Sequence, residues 1–167
     1  MTDRLAPDVS WAALQAATPP EVAAAFPAVQ WRLELLWQLD RPARRIAVAD
    51  LDWMLDLPLW QRDGVRFQVR PRDVLAAPPD FPAHYQRILD SDLAYPIHVN
   101  RHRGRMTILD GFHRVAKTIV NGGTEIDAIE VSLADLHDHL AHRIRDASTP
   151  PPGPSDRRSG RPGPAVW

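Results

Sequence analysis

Apolar positions change their spacing several times along the chain, and each change marks an element. The clearest case is "MTILDGFHRVAKTIVNGG", residues 106 to 123. A short apolar run ends at Asp110 and Gly111, and then Phe112, Val115, Ala116, Ile119 and Val120 recur at the i, i+3, i+4, i+7, i+8 spacing of a helix with one buried stripe. Gly122 suits the end of that helix, because glycine takes the left-handed conformation at no steric cost. Just upstream, "YPIHVNRHRGRMTILDG" predicts two strands, about 96 to 100 and 105 to 109, joined by a turn at 102 to 104. "TEIDAIEVS" predicts another strand, and Ser132 is placed to cap a last helix, "LADLHDHLAHRIRD".

The first half is less regular. "PEVAAAFPAVQWRLELLWQLD" has helical composition, with Pro20 suited to a helix start and Pro27 forcing a kink or a break; Trp31, Leu35 and Trp37 read as packing residues. "RRIAVADLDW" predicts a short strand at 46 to 48, and "RFQVR" a second at 66 to 70. Residues 71 to 92 read as helix in two pieces, "PRDVLAA" and "PAHYQRILDSDL", separated by "APPDFP". From 148 onward, "STPPPGPSDRRSGRPGPAVW" holds six of the 17 prolines and almost nothing to bury, the pattern of a disordered tail. The expected organisation is a helical extension at 1 to 43, a mixed α/β domain at 44 to 146 and a tail at 147 to 167.

Composition narrows the chemistry. The 167 residues, 44% hydrophobic and 25% charged, suit one globular core, and a net charge of -1 gives no general affinity for nucleic acid, so any such role needs a local basic patch. The absence of cysteine excludes a disulfide, a thiolate nucleophile and a Cys-ligated zinc. No run approaches the roughly 18 uninterrupted apolar residues of a membrane span, and the N-terminus lacks a basic stretch followed by an apolar core. The expectation is a cytoplasmic protein with no membrane partner.

The candidate site is the start of the 112 to 120 helix. His113, Arg114 and Lys117 stand at i,i+3 and i,i+4 spacings and can form one cluster. Cations at a helix N-terminus oppose its macrodipole, and two arrangements would offset that. One is a bound anion such as phosphate, held by first-turn backbone N–H groups that Gly111 leaves approachable, with Arg114 and Lys117 adding charge-assisted bonds. The other is an internal salt bridge from Asp110 to Arg114.

"YPIHVNRHRGRMTILDGFHRVAKTIVNGGTEIDAIEV" resembles the core of the ParB/sulfiredoxin superfamily: a Pro-Ile strand, a hairpin, a strand ending in glycine, a helix opened by a basic pair, and a further strand. The resemblance spans roughly residues 44 to 132 and is most specific at "LDGFHR". It implies an α/β mixed sheet with helices, carrying a nucleotide or phosphate site. Sulfiredoxins have Gly-Cys-His-Arg there; Phe112 takes the place of that cysteine, so sulfiredoxin activity is excluded. Chromosome-partitioning ParB proteins hold CTP with a Gly-Glu-Arg-Arg type sequence and continue into a helix-turn-helix DNA reader, whereas here the pattern predicts one helix after the Val131 strand and then the Pro-rich stretch. The free serine kinases of this fold, with an Asp-Gly-His-His-Arg type sequence and an upstream acid as base, are most similar to "LDGFHR".

The kinase resemblance implies ATP or ADP, with CTP as the alternative, and Mg²⁺. The phosphates would lie on Gly111, His113, Arg114 and Lys117; Asp110 would position the metal or a small-molecule acceptor, and an upstream carboxylate would take the acceptor proton. "DLDWMLDLPLW" offers Asp50, Asp52 and Asp56, of which Asp56, between Trp53 and Trp60, is the choice if partial burial raises its pKa. The catalytic set is then Asp56, Asp110 and His113, against the plainer reading of a loop with capping aspartates and core tryptophans. The alternative function is a non-enzymatic DNA-associated or protein-interaction module with a nucleotide pocket. His137, His139 and His142 in "LHDHLAHR" have poor geometry for zinc and read as a solvated helix face. His98 and His102 are expected to be exposed, and the basic turn of Arg101, Arg103 and Arg105 allows at most weak, non-specific DNA contact.

Overall fold

The computed structural model describes residues 16 to 29 and 31 to 137. Between Pro20 and Glu130 lie six strands and five short helices, with three 3₁₀ turns between them. Helix α1, Pro20–Ala25, starts with proline in its first turn and stops before Pro27, since the residue ahead of a proline is pushed out of the helical region. Phe26 is accordingly extended. Helix α2, Leu33–Leu36, is a single turn. Strand β1, Arg44–Ala47, begins two residues earlier than predicted. Two 3₁₀ segments, Val48–Asp50 and Asp52–Asp56, carry the chain to β2, Trp60–Arg62, which pairs with β3, Val65–Val69. Strand β2 went unpredicted, although Asp63-Gly64, with φ 52° and 81°, is the left-handed pair that hairpins favour.

Helices α3, Pro71–Ala76, and α4, Pro82–Asp90, are the two predicted pieces, separated by a 3₁₀ turn at Pro78–Asp80. The hairpin β4, Ile97–His102, and β5, Arg105–Asp110, leads into α5, Phe112–Val120, and β6, Glu125–Glu130. Residues 133 to 137 are helical, and the predicted Ser132 cap is present: Ser132 Oγ accepts from the Asp135 N–H at 3.1 Å while Asp135 Oδ2 accepts from the Ser132 N–H at 2.9 Å.

The main sheet has strand order β1-β6-β4-β5, with β4 parallel to β6 and the other neighbours antiparallel. The mixed α/β class is therefore as the sequence predicts. Its two faces follow from the two-residue period of strands. Ile97, Val99, Met106, Ile108, Ile126 and Ala128 enter one core cluster with Phe112, Val115 and Ala116 of α5. Leu109 and Ile129 join Val131, Leu36 and Leu136 in a second cluster, against which Val29, Trp31, Leu33 and Leu39 pack. Residues assigned by sequence to an N-terminal extension thus cover apolar side chains of the sheet that would otherwise meet water. In α5 the buried positions are Phe112, Val115, Ala116 and Thr118, whereas Val120, predicted for the stripe, is 39% exposed at the helix end. The expected tail lies outside the described residues, as does the predicted last helix beyond His137, with His139 and His142.

Candidate functional site

The turn from β5 into α5 is built around Gly111. Its φ is +105°, and a Cβ there would stand 2.5 Å from Ile97 Cγ2 and 2.9 Å from Ile97 Cβ. Both conformation and space therefore require glycine, for close approach to β4. No side chain caps α5, and the backbone N–H groups of His113 and Arg114 meet no acceptor among the described residues.

The three expected cations diverge instead of clustering. Arg114 donates from Nη2 to Asp110 Oδ2 at 2.7 Å and from Nη1 to the carbonyls of Pro96 at 2.9 Å and Tyr95 at 3.2 Å. Lys117 Nζ donates to the carbonyls of Leu89 and Ser91 at 2.7 and 2.6 Å, closing the C-terminal end of α4, where a cation meets the negative end of the dipole. His113 turns to Trp60 and stacks on it, ring centroids 4.5 Å apart and planes 5° from parallel. The macrodipole conflict dissolves, because Lys117 belongs to the last turn of α5 and Arg114 is paired.

Asp110 gathers donors on one oxygen. Besides Arg114, Trp37 Nε1 donates to Oδ2 at 3.0 Å, and His98 Nδ1 stands 3.5 Å away. Burial works to raise the Asp110 carboxyl, but the His98 ring, the Arg114 charge and the Trp37 N–H outweigh it and hold the group below the ordinary carboxylate range. By geometry the Arg114 pair is the stronger contact, since the His98 nitrogen completes no hydrogen bond. His98, expected at the surface, is only 4% exposed: it is the second residue of β4, at the register position of Asp110, and is drawn inside with it. Oδ1 of Asp110 makes no hydrogen bond among the described residues.

His113 has the opposite surroundings. Burial, then the charges of Arg87, His84 and Arg114, push its pKa down to about 4, against a smaller upward pull from Asp110. The ring is neutral at pH 7, and its Nε2 is buried without a hydrogen-bond partner. His84 stacks on the same Trp60, centroids 5.1 Å apart, with Nε2 against the Gln61 carbonyl at 2.7 Å. Two imidazoles and an indole thus join α4 and α5 to β2.

Asp56 corrects an expectation. Its side chain is 56% exposed and ion-paired with Arg72, which also holds Asp52 at 2.8 Å. The Arg72 hydrogen bond leads the causes that lower the Asp56 pKa, overriding a small desolvation effect, where partial burial was expected to raise it. The reason is local: Arg72 on α3 reaches back to the 3₁₀ turn, while the neighbouring Trp53 points its Nε1 at the Met106 carbonyl, 3.0 Å away. No hydrogen bond or ion pair links Asp56 to Asp110, His113, Arg114 or Lys117 among the described residues.

No group of three or more potential metal ligands converges among the described residues. The surroundings of Asp110, a guanidinium, an indole N–H and an imidazole, do not fit Mg²⁺ held by protein ligands alone. His137 is exposed. Of the basic turn, Arg105 lies over the Trp53 ring at 4.9 Å and Arg101 is 3.9 Å from Glu130. Sequence reasoning missed Trp37, Trp60, His84 and His98; the parity shared by His98 and Asn100 in a strand buried on both faces was the signal for the last. No family model, curated protein or solved structure matches the chain.

Proposed function

We propose that this chain is a ParB/sulfiredoxin-like domain that binds a phosphorylated ligand, a nucleotide such as ADP or ATP, at the start of α5, and that it acts as a binding module. The supporting observation is the uncapped first turn behind left-handed Gly111, where the N–H groups of His113 and Arg114 meet no acceptor among the described residues and so have hydrogen bonds left to give an anion. Arg114 and Lys117 supply framework there: one fixes the turn to β4, the other fixes α4. Phosphoryl transfer has less support, because the proposed base Asp56 is held ionised by Arg72 at the surface.

A thermal-shift series with ADP, ATP, CTP and GTP, with and without Mg²⁺, tests the reading. Ligand at about a hundred times its Kd should add about 2.7 kcal/mol to the folded state. No rise in Tm with any nucleotide at millimolar concentration would remove it. A second reading, a domain whose pocket is closed by its own side chains and which works through DNA or protein contact, is favoured by the internal pairing of Asp110 and Arg114. It predicts no nucleotide shift, and any duplex binding should fall steeply with salt.

A further inference from the structure

We infer that residues 33 to 39 form a strap across the Asp110–Arg114 pair, latched by Trp37, and that its release opens the turn before α5 to ligand. Trp37 is 51% exposed, unusual for an indole, yet its one polar atom is bonded to Asp110 Oδ2, 73 residues away in sequence. The carboxylate and guanidinium beneath keep only 14% and 15% of their side-chain surface. The indole N–H is therefore one of the donors that satisfy this largely buried pair.

The strap itself is weakly held from within. Its helix is one turn, too short to be stable alone, and its backbone bonds run within 32 to 41, among them Leu36 N–H to the Arg32 carbonyl and Leu39 N–H to the Leu36 carbonyl. Among the described residues its apolar ties lie on one side, Leu36 buried with Leu109, Ile129 and Leu136 and Leu33 and Leu39 packed against the same cluster, and its polar tie is the Trp37 latch. Leu36 is a hinge-side anchor in the core, while the latch is a single hydrogen bond at the surface. Breaking the latter frees one side of the segment without removing its core contact, the arrangement of a local opening far cheaper than global unfolding. Opening would also strip a donor from Asp110 and uncover the oxygen that Arg114 shares.

The ligand side of this inference rests on the nucleotide reading above; the latch does not. Trp37→Phe keeps a ring and removes the N–H. Three measurements on the full chain separate the possibilities: amide exchange by NMR, titration of the Asp110 carboxyl by carbon-13 NMR, and ADP binding by calorimetry. Exchange at Leu36 and Leu39 should rise about tenfold, the effect of losing one hydrogen bond to a carboxylate, with Val99 and Ile108 unchanged. The Asp110 pKa should move up, and ADP should bind about fivefold tighter than to wild type. Unchanged strap exchange, or an equal rise in strap and core, would overturn the latch. A variant that loosens the strap but binds ADP no better than a wild type that binds it would overturn the gate. If neither protein binds ADP, the nucleotide reading falls, and exchange together with the Asp110 titration still decides the latch.

Discussion

Asp110 and His113 lie three residues apart on either side of one glycine, and the fold treats them in opposite ways. Both are largely withdrawn from water. Asp110 is surrounded by donors, so its charge is retained; His113 is laid against an indole with cations nearby, so its charge is suppressed. Burial penalises a charged form in both places, and what differs is whether a counter-charge is within reach. Gly111 makes this possible by turning the chain sharply enough for side chains three residues apart to enter separate networks: one toward β4 and α2, the other toward β2 and α4.

The largest effect should come from removing the divider. Gly111→Ala places a methyl within 2.5 Å of Ile97 and an L-residue at φ +105°. Overpacking and left-handed strain together should destabilise the fold by about 3 to 4 kcal/mol, measured by urea denaturation. Combining it with Ile97→Ala should restore the steric part, so the double variant should lose less than the two single changes added together.

Next is the acid response of His113. Its folded pKa is below that of the unfolded chain, so between 6.5 and about 4 the unfolded state takes the proton first. Its contribution is therefore fully present above pH 6.5 and is lost as pH falls toward 4, by up to about 3 kcal/mol. Denaturation midpoints at pH 7.5 and 5 check this, and His113→Phe, which keeps the stack, should flatten the slope. A wild-type profile flat across that range would mean that the ring is not held neutral.

Asp110 should act in a lower window. Its folded pKa is depressed, so its contribution is present above the ordinary carboxylate range and is lost as pH falls through the folded value. Arg114→Met should cost about 2 kcal/mol at pH 7 by leaving the carboxylate without its cation. The gap from wild type should shrink with acid, as Asp110 takes a proton and the missing cation ceases to matter. A gap constant with pH would assign the loss to packing of the arginine stem.

The regions differ in legibility as well. From 97 to 135 almost everything was local: alternating strands, a turn with glycine, a 3.6-residue stripe and a Ser-x-x-Asp cap. Such elements are readable because the physics that forms them acts within a few residues. The stacking of Trp60 on His84 and His113 was not readable, since its members come from β2, α4 and α5, and nothing in their spacing announces contact. Asp56 shows the same limit. Its neighbouring tryptophans suggested burial, yet Arg72, sixteen residues on, decided its charge.

By itself, then, the sequence determined the mixed α/β class, the order of the hairpin, helix and strand, and that Asp110, Gly111, His113 and Arg114 meet at one turn. Tertiary structure decided what each does there. The glycine is needed because Ile97 is close, the arginine is committed because Asp110 and two carbonyls are in reach, and Trp37 joins because its segment must cover the second face of the sheet. Partner choice depends on distances between remote parts of the chain, which hydrophobic burial sets only when the whole core closes.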